Sequence, residues 1–135
     1  MRASPSAEDI RVAVAAALQE DAPRGDITAE ACIGEDAVVD ADLVAKAVGV
    51  IAGCAYAVET FRQCGVECRV VSEDGSTVKP RSHVLEIRGG NARGVLRAER
   101  TALNFLGHLS GVATAAAEFV RRVEDTEAVI LDTRK

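Results

Sequence analysis

The sequence has no apolar run that approaches a membrane span, and its first ten residues are mostly polar. A span needs about 20 predominantly apolar residues, and a secretory signal needs an apolar core near the N-terminus. Cations are not in excess, since 16 Lys and Arg stand against 21 Asp and Glu, a net charge of −5. Sequence-independent binding to nucleic acid or to an anionic membrane requires a cationic surface. We therefore expect a cytoplasmic protein that binds neither nucleic acid nor membrane.

Proline is also scarce, with three in 135 residues, whereas 48% of the residues are apolar. A chain of this length can bury roughly two-thirds of the surface that its unfolded state exposes, so we expect a globular fold. The cysteines are Cys32, Cys54, Cys64 and Cys68, and the histidines are His83 and His108. No two cysteines have the C-x2-C spacing of zinc sites, and cytosolic proteins rarely form disulfides. The sequence therefore predicts reduced, mostly packed thiols and no metal site.

The N-terminal third carries signals for a helix, a loop and a strand. Ser6 and Asp9 resemble a capping box, and apolar residues then recur at helical spacing, which predicts a helix over about residues 7–20. Pro23 and Gly25 in "EDAPRGDIT" indicate a loop. Residues 38–47 alternate between apolar and charged side chains, which predicts a half-buried strand.

The middle of the chain reads as a short helix followed by strands. Gly53 is expected to open the helix and Gly65 to close it in the left-handed conformation. Residues 66–88 contain short β-like runs separated by the turn segments "EDGS" and "KPRS". This pattern predicts an antiparallel meander.

A polar stripe follows Asn91, which is placed to cap a long helix. The stripe consists of Arg93, Arg97, Arg100, Asn104 and His108. Spacings of three and four residues put these side chains on one helix face. A solvated face is the commoner explanation for such a stripe. However, neighbouring like charges repel one another, and an anionic ligand would remove that cost.

The chain then shows a helix break and an apolar run. Ser110-Gly111 is expected to interrupt or kink the helix, with a second amphipathic segment up to about Glu124. Ala128 to Leu131 are four consecutive apolar residues, which is typical of a parallel strand buried on both faces. Ligands bind at the carboxyl ends of such strands, where Asp132, Thr133, Arg134 and Lys135 stand. A charged strand terminus without function is the alternative.

Five segments, in this order and spacing, carry a resemblance to a known family: "EDAPRGDIT", "AKAVGVIAG", "DGSTV", "AERTALNFLGHLSGVAT" and "ILDTRK". Together they resemble the N-terminal half of quinolinate phosphoribosyltransferase, the carboxylating nicotinate-nucleotide pyrophosphorylase of NAD biosynthesis. The A-E-R-T-A-L-N-F-L run and the D-T-R-K end are the most specific pieces. A molybdenum-transport-associated family shares the general pattern but lacks the E-R-T-x-L-N signature.

The resemblance implies a reaction and a set of residues. Quinolinate and phosphoribosyl pyrophosphate would react, with Mg²⁺, to give nicotinate mononucleotide, pyrophosphate and carbon dioxide. Arg100 resembles the arginine that one subunit contributes to the quinolinate site of its neighbour, so a homodimer or higher homo-oligomer is implied. Thr133, Arg134 and Lys135 resemble the substrate-binding tip of the first barrel strand, with Arg134 and Lys135 as the catalytic candidates. Both substrates are polyanions, which suits Arg and Lys.

The implied fold is α/β in two parts. An α+β sandwich would occupy residues 1–108, and the start of an α/β barrel with its first strand would occupy residues 109–135. The family has a second half that supplies further basic residues and the acidic metal ligands, and these 135 residues contain no counterpart to it. We therefore expect the isolated chain to be inactive and the Mg²⁺ ligands to lie outside it.

Departures from the family pattern leave two other hypotheses open. Arg81-Ser82 replaces a Gly-Asp-like turn, and Gly107-His108 replaces a common Gln-Arg, so His108 is not assigned as a ligand. The first alternative is an inactive remnant or interaction domain of the same family. The second is a lipoyl- or biotinyl-like carrier module, suggested by "VSEDGSTVKPRSHVLEIRG". In that segment Lys79 adjoins Pro80 rather than a hairpin of the Met-Lys-Met type.

Overall fold

The computed structural model describes residues 5–131, which form four helices and five strands. The helices are α1 (Ala7–Asp21), α2 (Ile27–Cys32), α3 (Cys54–Gln63) and α4 (Ala92–Arg122). The strands are β1 (Val38–Val44), β2 (Gly49–Val50), β3 (Arg69–Val70), β4 (Thr77–Val78) and β5 (His83–Asn91). This mixture of helix and sheet confirms the predicted α/β class.

Helix α1 begins where the capping box predicts. The Ser6 hydroxyl accepts a hydrogen bond from the Asp9 N–H at 3.1 Å, and the Asp9 carboxylate accepts one from the Ser6 N–H at 3.1 Å. Val14 and Leu18 are buried on the inner side of the helix, which packs against α3. Helix α2 begins inside the segment predicted to be a loop, because the Asp26 carboxylate accepts a hydrogen bond from the Ala29 N–H at 3.0 Å and caps it.

The strands form two separate antiparallel sheets, so the predicted meander over residues 66–88 is wrong. One sheet has the order β1-β5-β3, and the other pairs β2 with β4. The "EDGS" turn lies between β3 and β4, which belong to different sheets. Asp74 in this turn caps α3. Its carboxylate accepts hydrogen bonds from the Gly53 N–H at 3.1 Å and the Cys54 N–H at 2.9 Å. Strand β4 follows this turn and pairs with β2.

The main core lies between the three-stranded sheet and the pair α3 and α4. Phe61 of α3 and Leu85 and Ile87 of β5 are at most 1% exposed. Ala98 and Ala102 of α4 are fully buried beside them, and their small side chains let the helix approach the sheet closely. As predicted, Gly53 and Gly65 flank α3, and Gly65 has a positive φ; Gly53 also has one.

Helix α4 runs without interruption through Ser110-Gly111, so the predicted break is wrong. The Ser110 hydroxyl accepts a hydrogen bond from the Ala52 N–H at 3.0 Å, and the Thr114 hydroxyl accepts one from the Val50 N–H at 2.9 Å. These bonds tie the helix to the edge of β2. A helical glycine costs about 1 kcal/mol relative to alanine, which such tertiary contacts offset. The predicted domain division at residue 108 falls inside this helix and stays a prediction.

Residues 128–131 do not form the predicted strand. Val129 and Leu131 are 74% and 78% exposed, and no strand of the described residues lies beside them. A strand needs a neighbour to satisfy its backbone hydrogen bonds, and residues 5–131 supply none at this point. Within that same range, no helix has an apolar stretch long enough to cross a bilayer.

Candidate functional site

The site is an open cavity of about 730 Å³ between the loop that joins α1 to α2 and one face of α4. Its charged lining residues are Asp21, Arg24, Asp26, Arg97, Glu99 and Arg100. Exposed apolar side chains, among them Ile27, Leu96 and Leu103, lie between these charges. The wall therefore combines three cationic groups, three carboxylates and apolar surface.

The predicted stripe of α4 is divided among different surroundings. Arg97, Arg100 and Asn104 line the cavity. His108, one turn further along, lines a neighbouring cavity with Tyr56 and Phe105 rather than this one. The omission of His108 from the predicted site stays a prediction.

Arg93 does not line this cavity, although it belongs to the same stripe of α4. Its guanidinium donates to the carbonyl oxygens of Ile33 at 2.9 Å and Glu30 at 3.0 Å. These carbonyls lie at the C-terminal end of α2, where a helix leaves its last acceptors unsatisfied. Arg93 therefore fastens α2 to α4.

Replacing Arg93 by alanine is expected to lower the free energy of unfolding by about 1–2 kcal/mol, because two charge-assisted hydrogen bonds are lost. The matched control is Arg97→Ala, which removes the same charge from the next turn of α4. Arg97 is exposed and has no hydrogen-bond partner among residues 5–131, so its loss should change stability by less than about 0.5 kcal/mol. Urea denaturation of the two variants measures the difference. Equal midpoints would contradict the fastening role.

Arg100 reaches from α4 to the end of α1. Its Nη1 lies 3.2 Å from Oδ1 of Asp21, while its side chain remains 75% exposed. The other charged side chains of the wall do not form ion pairs with one another. Asp26 caps α2, whereas Arg24, Arg97 and Glu99 have no ion-pair partner in the described part of the chain. Over the whole wall three arginines balance three carboxylates, and the exposed guanidinium groups of Arg24 and Arg97 have no ion-pair partner within residues 5–131.

The cavity lining includes Arg100, whose predicted role stays a prediction, and also Asp21 and Arg24, which the sequence analysis does not name. Asp21 and Arg24 stand in "EDAPRGDIT", which contributes to the family resemblance and is predicted as a loop, with no role given to either side chain. The signal that would have indicated Asp21 is its acidic side chain at the C-terminal end of a helix, where acids are unfavourable. The roles predicted for Thr133, Arg134 and Lys135 stay predictions, because these residues lie outside the described residues.

The cavity does not offer a set of metal ligands. Within residues 5–131, one group can bring three potential ligands together, Asp42, His83 and Glu86, whose ligand atoms lie within 4.8 Å of one another. That group lies on β1 and β5, away from the cavity. Its carboxylates already pair with arginines, Asp42 with Arg88 at 2.6 Å and Glu86 with Arg69. The described residues therefore do not fit the Mg²⁺ that the family resemblance implies.

The cysteines lie outside the cavity and are free thiols, as predicted. Burial, and to a smaller extent the nearby Asp74 carboxylate, raise the pKa of Cys54 to about 12. Burial likewise raises the pKa of Cys68 to about 11. These two thiols are protonated at neutral pH and therefore poor nucleophiles.

Comparison with known proteins shows the family of this fold. Residues 26–110 match the family model described as quinolinate phosphoribosyl transferase, N-terminal domain. The nicotinate-nucleotide pyrophosphorylase [carboxylating] of Mycobacterium leprae is 40% identical over 124 residues, which are 88% of this chain and 43% of that protein. A quinolinate phosphoribosyltransferase [decarboxylating] of Nicotiana tabacum, described as mitochondrial, is 36% identical over 94% of this chain and 36% of its own length.

Two solved structures of similar sequence have the same fold as this chain. The nicotinate-nucleotide pyrophosphorylase of Francisella tularensis superposes with a TM-score of 0.90 at 30% identity, over 97% of this chain and 46% of that one. NadC from Streptococcus pyogenes gives a TM-score of 0.90 at 32% identity, over 98% of this chain and 48% of that one.

The chain therefore spans about two fifths of the length of the curated relatives it matches. The carrier-module hypothesis loses its support, because its whole segment lies inside the family match and its strand β4 pairs with β2. On the match to 26–110, the chain belongs to the family of the quinolinate phosphoribosyl transferase N-terminal domain.

Proposed function

We propose that this chain forms the N-terminal part of an enzyme that transfers a phosphoribosyl group from phosphoribosyl pyrophosphate to quinolinate. The products would be nicotinate mononucleotide, pyrophosphate and carbon dioxide, in NAD biosynthesis. The observation that carries the proposal is the exposed guanidinium of Arg100 at the wall of the cavity. The printed names of the relatives, which describe pyrophosphorylases and phosphoribosyltransferases, support the same reaction.

The chemistry of the ligand suits this cavity. Quinolinate is a planar pyridine with two carboxylates, and a guanidinium can grip a carboxylate through two parallel N–H donors. Leu96 and Leu103 offer apolar surface beside Arg100 for the ring. In the proposed enzyme Thr133, Arg134 and Lys135 complete the anion site. Arg134 and Lys135 act on the reacting groups, where cations stabilise the charge of the departing pyrophosphate.

Mg²⁺ accompanies phosphoribosyl pyrophosphate in the proposed reaction and shields its phosphate charge. We place its ligands outside this chain, because Asp21 and Asp26 at the cavity are already engaged with Arg100 and with the N-terminus of α2, which leaves Glu99 as a single carboxylate. The role of this chain is to bind and orient the dicarboxylate.

We further propose a homodimer in which Arg100 of one subunit serves the site of the other. The cavity is open along one side, and exposed apolar side chains surround it, which leaves room for a second subunit to close it. The cytoplasmic location stays a prediction, and the mitochondrial description of the tobacco relative belongs to that protein.

Titration of the 135-residue chain with quinolinate tests the binding half of this proposal. At low salt we expect amide NMR shifts confined to the α1–α2 loop and to α4 near Arg100, with a Kd on the order of millimolar. Binding should weaken as salt rises, because exposed charges are screened beyond about 10 Å at 0.1 M ionic strength. Arg100→Ala should weaken binding about tenfold, the usual effect of losing a charge-assisted bond.

The control is Arg81→Asn, which removes one positive charge from a turn outside the cavity. Arg81 has a φ of 74°, a conformation that asparagine tolerates well, so the substitution should not disturb the fold. Its binding should match that of the unchanged chain. Shifts scattered over the surface, or none, would favour a solvated stripe on an inactive interaction domain.

A further inference from the structure

The end of α1 contains an acidic residue in a place that the helix itself disfavours. The last turn carries Glu20 and Asp21 and no basic residue. The carbonyl groups at a helix C-terminus give it a partial negative charge, so acids there are repelled. A favourable contact from elsewhere in the chain can offset this repulsion at Asp21. Arg100, 79 residues later, supplies one.

The contact between these two residues leaves most of the guanidinium available. Oδ1 of Asp21 receives a hydrogen bond from Nη1 of Arg100 alone. Nε and Nη2 of Arg100 have no partner within residues 5–131. A guanidinium has five N–H donors, and a bidentate carboxylate uses two of them. Asp21 can therefore stay bonded to Arg100 while a second carboxylate binds the same side chain.

We propose that Asp21 is a positioning residue, which holds Arg100 at the cavity wall so that its remaining donors meet one carboxylate of an aromatic dicarboxylate. This inference rests on the proposed function. The Asp21 side chain is 27% exposed against 75% for Arg100, so the better-fixed partner is the acid. A long arginine that is held in one orientation loses less rotamer freedom when the ligand binds.

Simple electrostatics predicts the opposite effect of removing Asp21. A carboxylate beside an anion site repels a dianion, so its loss by charge alone would tighten binding. Positioning predicts weaker binding when the acceptor oxygen is removed. The direction of the change therefore separates the two roles.

The test compares three variants of the 135-residue chain with the unchanged chain, by NMR titration with quinolinate. Asp21→Ala removes the acceptor and should weaken binding about three- to fivefold, as expected for an exposed ion pair. Asp21→Asn keeps an oxygen in the place of Oδ1 without the charge, so its affinity should equal or exceed that of the unchanged chain. Glu20→Gln removes the same charge from the same turn without touching Arg100, and should not weaken binding.

A second measurement follows the arginine directly. The heteronuclear NOE of Arg100 Nε reports its motion on the picosecond to nanosecond timescale, with or without ligand. It should fall in Asp21→Ala and be preserved in Asp21→Asn. A purely structural role of Asp21 would change the melting temperature and leave this signal unaltered.

The outcomes separate this inference from the proposed function. If Arg100→Ala weakens binding but Asp21→Ala tightens it or leaves it unchanged, the proposed function stands and the positioning role is overturned. If the unchanged chain does not bind quinolinate, both are overturned. Weaker binding by Asp21→Ala, with recovery in Asp21→Asn, supports both.

Discussion

Replacing Gly94 by alanine is expected to lower the free energy of unfolding by roughly 2 kcal/mol or more, although alanine is the better helix former. Gly94 lies in the first turn of α4, where it is buried against the end of α3. A Cβ there would press into the backbone carbonyl of Cys64 and come within 2.8 Å of a methyl group of Val66. A backbone carbonyl at a helix end cannot rotate away as a side chain can. The two helices would have to separate.

The matched control is Gly107→Ala in the same helix. A Cβ at Gly107 would meet nothing within 4 Å, and the residue is exposed. Alanine should therefore raise stability there by about 0.5–1 kcal/mol through helix propensity alone. Urea denaturation of both variants measures two changes of opposite sign. Stabilisation by both substitutions would mean that α3 and α4 do not approach as closely as the structure places them.

Local signals predicted the local structure well. The capping box at Ser6, the cap at Asn91 and the left-handed Gly65 each depend on a few neighbouring residues, and each is where the sequence places it. Strand pairing was harder, because β2 and β4 are two residues long and carry no register of their own. The turn before β4 also carries Asp74, which reaches back 20 residues to cap α3.

The site shows the same division between local and distant information. Helical periodicity correctly put Arg93 and Arg100 on one face of α4. It could not show that α2 covers Arg93, nor that the end of α1 meets Arg100, because both neighbours come from more than 50 residues away. A stripe of like charges therefore predicts which side chains share one face of a helix. The residues that pack against that face determine the role of each charged side chain.

The largest effect on activity is expected from Arg100→Ala in a chimaera, in which the C-terminal part of the Mycobacterium leprae relative follows this chain. The 135-residue chain alone should form no nicotinate mononucleotide, since it supplies one side of the proposed site. The chimaera should be active. Arg100→Ala should lower its kcat/KM on the order of a hundredfold, the usual result of removing a preorganised charge-stabilising donor. The side chain is 75% exposed, so the fold should survive its truncation.

Mixing two defective chimaeras tests where Arg100 acts. Arg134→Ala should lower activity to a similar extent, because Arg134 is proposed to act on the reacting groups. If Arg100 serves the site of the neighbouring subunit, a mixed dimer contains one site with both defects and one site with none. Random reassociation makes half of the dimers mixed, so activity should recover to about a quarter of that of the intact chimaera. If both residues serve the site of their own subunit, every site keeps one defect and mixing restores nothing. Recovery therefore requires the site to be shared between subunits. If activity does not recover, Arg100 acts in the site of its own subunit.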